Sequence, residues 1–146
     1  MPLNDHALYQ IAIKALLSNE DKFFVLITTG GYLDFPGGRV DESERNIPWT
    51  KALEREIAEE LGESIVIEVG PTLFVSKRQY HKAGKMHHIA AIFFECKYIS
   101  GAIRLSDEHT NYEWLTPEEI MDHQQEFLSE DERDQLAVYF DQNKLR

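Results

Sequence analysis

The chain has 146 residues, 42% of them hydrophobic and 11% aromatic, and a formal net charge of -11. That length is one ordinary domain, and the apolar content supports a packed core and excludes a disordered chain. The acidic balance argues against general affinity for nucleic acid and against docking on an anionic membrane, both of which need a basic surface. A phosphorylated ligand remains compatible if metal ions stand between the two anions. Cys96 is the only cysteine, so no intrachain disulfide forms. No run approaches the roughly 18–20 apolar residues of a membrane span, and "MPLNDHALYQ" lacks the basic segment of a signal peptide. A soluble, cytoplasmic protein is the expectation.

In chain order, "LYQIAIKALL" and "KFFVLIT" read as strands joined by the turn-like "SNED". "TTGGYLDFPGGRVDESE" reads as loop, with four glycines and a proline. Residues 46–62 read as a helix, with Pro48 in the first turn and Gly62 as C-terminal cap. Leu53, Ile57 and Leu61 recur every four residues and should face the core. "SIVIEV" and "TLFVSKRQY" follow as strands, "HKAGK" as a turn, and "MHHIAAIFFECKYI" as a strand buried on both faces. "NYEWL" is a short last strand. "TPEEIMDH" opens a helix with Thr116 as N-cap, Pro117 after it and Glu119 completing a capping box. "SEDERDQLAVYFDQNK" is a C-terminal helix capped by Ser129. No repeat or linker interrupts the chain, so one domain over residues 1–146 is expected, an α/β fold with a mixed sheet flanked by helices.

Within the first helix, Glu56, Glu59 and Glu60 fall at i, i+3 and i+4, on one face. Like charges at these spacings repel by roughly 0.2–0.5 kcal/mol per pair. A charge run is usually a solvated face. Here only Lys51 and Arg55 are available as partners within the helix, while Glu54 and Glu63 add negative charge. A hard divalent cation, which takes oxygen ligands, gives the cluster a purpose.

Residues 37–62, from "GGRVDESE" to "REIAEELG", resemble the signature of the Nudix hydrolases, G-x5-E-x7-R-E-U-x-E-E-x-G-U with U apolar. Gly38 and Glu44 match its first half, and Arg55, Glu56, Ile57, Glu59, Glu60 and Gly62 its second. Ten residues, not seven, separate Glu44 from Arg55, an insertion around "NIPW", and Glu63 stands where the family prefers an apolar residue. The resemblance implies an α/β/α sandwich that hydrolyses a nucleoside diphosphate linked to another moiety, with Mg²⁺ or Mn²⁺ as cofactor. It implies metal ligation by Glu56, Glu59, Glu60 and the carbonyl of Gly38. Arg55 would orient a neighbouring carboxylate, and Glu44 would support the loop. By the same likeness Glu59, Glu60 and Arg55 belong to the catalytic set. Positioning and charge stabilisation do most of the work in such a reaction.

Substrate contacts are less marked. Tyr80 lies seventeen residues beyond Glu63, an offset at which diadenosine polyphosphate hydrolases of the family tend to carry a tyrosine. Such a ring would stack on a base; the plainer reading is a strand-end aromatic. Lys77, Arg78, Lys82 and Lys85 form the one basic cluster and would meet outer phosphates, or else cap a solvated hairpin. Phe35 and Tyr32 would line the base site or simply pack. His87 and His88 enter a strand, with one facing inward in a structural role. Thr28 and Thr29 stand where many relatives carry Arg or Lys. Glu108, six residues before Trp114, is the candidate loop base, with His109 its rival and Glu113 weaker. The expected partner is a small nucleotide, with no nucleic acid and no membrane, and a homodimer is left open. The alternative is a domain of this type that binds or senses nucleotides without turnover, which Mg²⁺-dependent hydrolysis would exclude.

Overall fold

The computed structural model describes residues 5–107 and 111–144. The apolar run of the first strand, β1 (Tyr9–Asn19), is buried from Ala12 to Leu17, which requires cover on both faces. It pairs antiparallel with β2 (Lys22–Ile27) across Glu20–Asp21, and parallel with β6 (Lys85–Ser100) from Tyr9↔His88 to Ser18↔Lys97. β6 is in turn the second arm of a long hairpin with β5 (Val66–Lys82). The hairpin turn is only Ala83–Gly84, both at positive φ (53° and 74°), a two-residue geometry that glycine accepts freely. The expected five-residue turn is therefore narrower, because the strands pair up to Lys82↔Lys85.

Two further expectations shift. "SIVIEV" and "TLFVSKRQY" are one strand, β5, with register shifts on either side of Thr72, where Gly70 and Pro71 interrupt regular pairing. The glycine-rich stretch read as loop carries two three-residue strands, β3 (Tyr32–Asp34) and β4 (Gly37–Arg39), which pair with β2 and β1. β7 (Asn111–Leu115) pairs with β2, and β8 (Glu126–Phe127), which the sequence did not suggest, with β3. Among the described residues all eight strands join one mixed sheet.

Helix α1 (Trp49–Leu61) covers one face of the sheet. It begins later than expected, and Pro48 is its N-cap rather than a first-turn residue, while Gly62 caps its end. Leu53, Ile57 and Leu61 are fully buried with Ala52, as their spacing requires, against Ile13, Leu17, Phe24, Phe94 and Cys96. The other face is covered by α2 (Pro117–Met121) and α3 (Glu130–Asn143). There Leu16, Val25, Phe35, Ala91 and Phe93 meet Ile120, Leu136 and Phe140. Phe93 and Phe94 of β6 thus enter opposite cores, so that strand is buried on both faces at its centre. The Thr116–Glu119 capping box and the Ser129 cap are both formed. Among the described residues no helix is long and apolar enough to cross a membrane.

Candidate active site

The buried stripe of α1 fixes how the helix is turned, and with it the directions of the three glutamates. Glu60 is drawn in beneath β4 and is 7% exposed. Its Oε1 accepts the Gly37 backbone N–H at 2.6 Å. Glu56 lies against Gly38 so closely that a Cβ there would stand 2.8 Å from the Glu56 carboxyl carbon and both its oxygens. Glu59 points outward, with its side chain 60% exposed and Oε1 2.8 Å from Arg55 Nη1. One face of a helix thus spans a gradient from core to solvent.

Arg55 ties this face to the preceding loop. Its Nε and Nη2 reach Glu44 Oε2 at 2.8 and 2.6 Å, and Nη2 also reaches Glu56 Oε1 at 3.1 Å. Glu44 ends a short 3₁₀ turn (Glu42–Glu44), and its Oε1 accepts the Asp41 N–H at 3.1 Å. The three-residue insertion therefore leaves the Glu44–Arg55 pair intact. Glu44 supports the loop, as expected of it.

Electrostatics separates the carboxylates. Burial pushes Glu60 up to about 7, despite the Lys14 charge and the Gly37 N–H; Asp34 and Glu56 add to the rise. Burial likewise raises Glu56, against the pull of Arg55, with help from Glu59 and Glu44. Glu44 is lowered, first by the Asp41 N–H and then by Arg55, which together outweigh burial. Among the described residues no three acidic, histidine or cysteine side chains converge on one point. The donor set nevertheless fits a hard cation. Two desolvated carboxylates sit beside the glycine pair, Glu56 in the space a Gly38 Cβ would fill and Glu60 on the Gly37 N–H, and a positive charge there would relieve both.

The other expected residues divide sharply. Phe35 does not line an open site: it is fully buried, edge-on to Phe93 at 5.4 Å. Arg78 is no surface cation either. Its side chain is 10% exposed, Nη2 lies 3.1 Å from Asp34 Oδ1 and 2.7 Å from Glu132 Oε1, and these carboxylates hold it firmly protonated in spite of burial. Lys77 is exposed on the opposite face of β5, since successive side chains alternate, and its backbone N–H donates to Asp131 Oδ2 at 2.6 Å. Tyr80 stays on the inner face, stacked on its cross-strand neighbour His87 at 4.9 Å; His88 meets Tyr9 instead. Lys82 and Lys85 are exposed at the hairpin end, and Tyr32 is 40% exposed. Glu113 is engaged with His123 Nε2 at 3.0 Å. Glu108 and His109 lie outside the described residues.

Sequence reasoning missed a buried charge network. Lys14, 5% exposed, lies 3.3 Å from Asp34 Oδ1 and donates to the carbonyl of Phe35 at 3.1 Å. Asp34 links it to Arg78, and Arg78 to Glu132 of α3, whose Oε1 also accepts from Ser76 Oγ at 2.9 Å. The available signal was a lone lysine inside the apolar run "IAIKALL". Lys14, Gly38, Arg39, Arg78 and Tyr80 line a recess of about 210 Å³ on the sheet face. A larger open groove of about 750 Å³ lies between the β1–β2 turn, α2 and α3 and contains none of the signature residues. Of the two, the former adjoins the acidic helix, through Gly38, against which Glu56 is pressed.

A mixed sheet between helices, with a glutamate-bearing helix packed on a glycine pair, defines the class: the chain belongs to the Nudix family, whose NUDIX domain model matches residues 8–138. Among curated proteins it is similar to the nucleoside triphosphatase NudI of Escherichia coli O139:H28 (strain E24377A / ETEC), with 31% identity over 90 residues. That match covers 58% of this chain and 62% of the relative, so the chain spans about six tenths of the length of the curated relatives it matches. Among solved structures it resembles the MutT protein from Methanosarcina mazei Go1 (TM-score 0.74, 27% identity, 93% of this chain and 96% of that one). It also shares the fold of a MutT NUDIX hydrolase from Burkholderia pseudomallei, at TM-score 0.69 and 24% identity over 90% of this chain and 98% of that one.

Proposed function

We propose that the chain is a cytoplasmic, divalent-metal-dependent hydrolase of a phosphoanhydride bond in a nucleotide. A nucleoside triphosphate is the favoured substrate class, and dinucleoside polyphosphates or other nucleoside diphosphate derivatives come next. The observation that carries this reading is the pairing of Glu56, pressed on Gly38, with Glu60, bonded to Gly37, both desolvated and both raised in pKa. The curated relatives' description as nucleoside triphosphatases supports the choice of substrate class.

In this reading Glu56, Glu59, Glu60 and the Gly38 carbonyl hold Mg²⁺ or Mn²⁺. Such an ion neutralises phosphate charge and lowers the pKa of water. The chain's own contribution is placement. Arg55 holds Glu56 and Glu59 in orientation through charge-assisted bonds anchored on Glu44. Gly37 fixes Glu60. Glu108, which precedes β7 in the sequence, serves as the base that takes a proton from attacking water.

The test is product analysis. Incubation with Mg²⁺ and a panel of nucleoside triphosphates, dinucleoside polyphosphates and nucleotide sugars in ¹⁸O water identifies substrate and point of attack together. Mg²⁺-dependent release of an ¹⁸O-labelled phosphate or nucleotide is expected. Nucleotide binding without turnover on the whole panel would replace this reading with that of a sensing module.

A further inference from the structure

We propose that Lys14 is a positioning residue for the acidic site: from within the sheet its ammonium holds the Phe35 and Gly37 carbonyls, and so sets the glycine-pair backbone against which Glu56 and Glu60 are placed. The proposal rests on the hydrolase reading for what the site does, and deepens it by naming the group that keeps the site in shape.

Lys14 stands between buried Ile13 and Ala15 on β1 and is buried itself. Burying an ammonium is costly, and apolar side chains of similar volume often serve stability as well as a buried ion pair does. The lysine therefore calls for a role beyond packing, and its bonds supply one. An ammonium has three N–H donors. At Lys14 they meet Asp34 at 3.3 Å, the Phe35 carbonyl at 3.1 Å and the Gly37 carbonyl at 3.4 Å. All these acceptors lie in residues 34–37, where β3 turns into β4. The Pro36 carbonyl among them accepts the N–H of Ala15, the neighbour of Lys14, at 2.8 Å. Three successive carbonyls of the turn are thus held from two adjacent residues of β1.

Peptide planarity carries this hold to the glutamates. The Pro36 carbonyl and the Gly37 N–H share one plane. β1 grips its oxygen, and Glu60 Oε1 accepts from its nitrogen at 2.6 Å. The Gly37 carbonyl begins the next plane. Lys14 grips that oxygen, and the plane leads to Gly38, with the Glu56 carboxyl group pressed against it. Gly37 needs such a hold, because its φ of 134° lies where only glycine is free to go and the backbone has little preference of its own. β4 has three residues, so its ladder on β1 is short. On the far side of Asp34, Arg78 is tied to Glu132 of α3. Lys14 is the point at which this buried network reaches the acidic helix.

The experiment uses the full chain with Mn²⁺ alone as probe, its binding followed by electron paramagnetic resonance, and amide hydrogen exchange at Gly37 read beside it. Lys14→Met combined with Asp34→Asn removes the ammonium and its counter-charge together, so the remaining Arg78–Glu132 pair stays balanced. Lys14→Arg keeps the charge opposite Asp34 but replaces a compact ammonium with a planar fork. Glu132→Gln is the control, since it loosens the network at α3 and touches no carbonyl of the turn. In the double variant Mn²⁺ binding should weaken by about 10–100-fold, the usual effect of losing the support behind a metal ligand, and Gly37 exchange should quicken. Lys14→Arg should fall between that variant and the wild type. Glu132→Gln should lower Tm while Mn²⁺ affinity holds. Unchanged Mn²⁺ affinity and Gly37 exchange in the folded double variant, or in Lys14→Arg should the double variant not fold, overturn the positioning role. So does an equal loss of affinity in Glu132→Gln, which would make the effect one of general stability, and so does a wild type that binds no Mn²⁺. Nucleotide turnover by the wild type with Mn²⁺ affinity indifferent to Lys14 would sink this role and leave the hydrolase reading standing. Lys14-dependent Mn²⁺ binding in a protein that hydrolyses no phosphoanhydride would do the reverse.

Discussion

Two arginines gather the acidic side chains of this protein, Arg55 on α1 and Arg78 on β5, and their surroundings differ in exposure and in charge balance. The Arg55 side chain is 38% exposed and faces three carboxylates, Glu44, Glu56 and Glu59, with Glu60 close behind. The Arg78 network is buried and balanced. Lys14 and Arg78 meet Asp34 and Glu132, two charges of each sign, and Glu132 is 0% exposed. A balanced buried network holds two elements together, here β5 and α3, and has no charge left for a ligand. An acidic excess around one half-exposed cation has negative charge to spare, which is what a metal site needs. On the proposed function the first cluster is the machinery, and the second is the frame on which the neighbouring recess is built.

The largest effect should come from the acidic cluster. Glu56→Gln, Glu59→Gln and Glu60→Gln should each lower kcat by about 10²–10⁴, the range for losing a catalytic carboxylate or charge-stabilising group. Folding should be unharmed, because each change removes like-charge repulsion. Steady-state kinetics at saturating Mg²⁺ beside thermal melts would show both; near wild-type kcat in Glu59→Gln would remove it from the site.

Next in size, Arg78→Met should cost about 3–5 kcal/mol, since Glu132 and Asp34 are left buried without their partner. For a chain of this length that is roughly a 10 °C fall in Tm. Arg55→Met, at a half-exposed cation, should cost under about 1 kcal/mol and lose activity instead. Urea denaturation of the two variants tests the contrast directly. Equal losses would mean that the two networks are not different in kind.

The third test uses pH. Burial raises Glu60 to about 7, so its ionised form strains the fold. The penalty is absent below the unfolded value of about 4.5, grows as pH rises towards 7, and is full above it. In EDTA, the stability of Glu60→Gln relative to wild type should therefore rise between pH 5 and pH 8, by up to about 3 kcal/mol. Mg²⁺ should stabilise the wild type at pH 8 more than the variant. Asp34 and Glu44, both lowered, act in the opposite sense, with stability lost as pH falls through the ordinary carboxylate range, below the pH 5–8 window. A flat difference across the range would mean that Glu60 is not the strained group.

The same contrast explains what could be read in advance. The Arg55 cluster is legible because its members lie within one helix and the loop before it, where spacing alone dictates proximity. The buried stripe Leu53–Ile57–Leu61 and the caps at Thr116 and Ser129 are local in the same way. The Arg78 network is not, because Arg78 is 44 residues from Asp34 and 54 from Glu132, and only the sheet brings them together. Lys77 and Arg78 looked equivalent as a basic cluster, yet strand alternation sends one to solvent and the other to the core. Phe35 could be read from the sequence either as lining a base site or as simply packing. The β3–β4 turn folds it inward, and three-residue strands carry too little periodicity to show this.

The smallest change is a methyl group placed where local and long-range structure meet. Gly37 and Gly38 are neighbours with opposite tolerances. At Gly37, φ is 134° and a Cβ would stand 2.0 Å from the Ile13 carbonyl oxygen, so Gly37→Ala strikes backbone and should disrupt the β1–β4 pairing. At Gly38 the obstacle, 2.8 Å away, is the far end of the Glu56 side chain, which can swing aside. Gly38→Ala should therefore melt within a few degrees of wild type while displacing Glu56 from the place where it joins Glu60. Disturbing the support of a metal ligand typically costs about 10–100-fold in metal affinity or activity. The expected result is an activity curve shifted to higher Mg²⁺ by about tenfold, with kcat partly recovered at saturation. A Gly38→Ala protein with an unshifted Mg²⁺ dependence would mean that Glu56 does not need this contact to serve, and the site would then rest on Glu59 and Glu60. A protein that fails to fold would mean that the glycine's role is to let the helix approach the sheet, which is a property of the frame and not of the site.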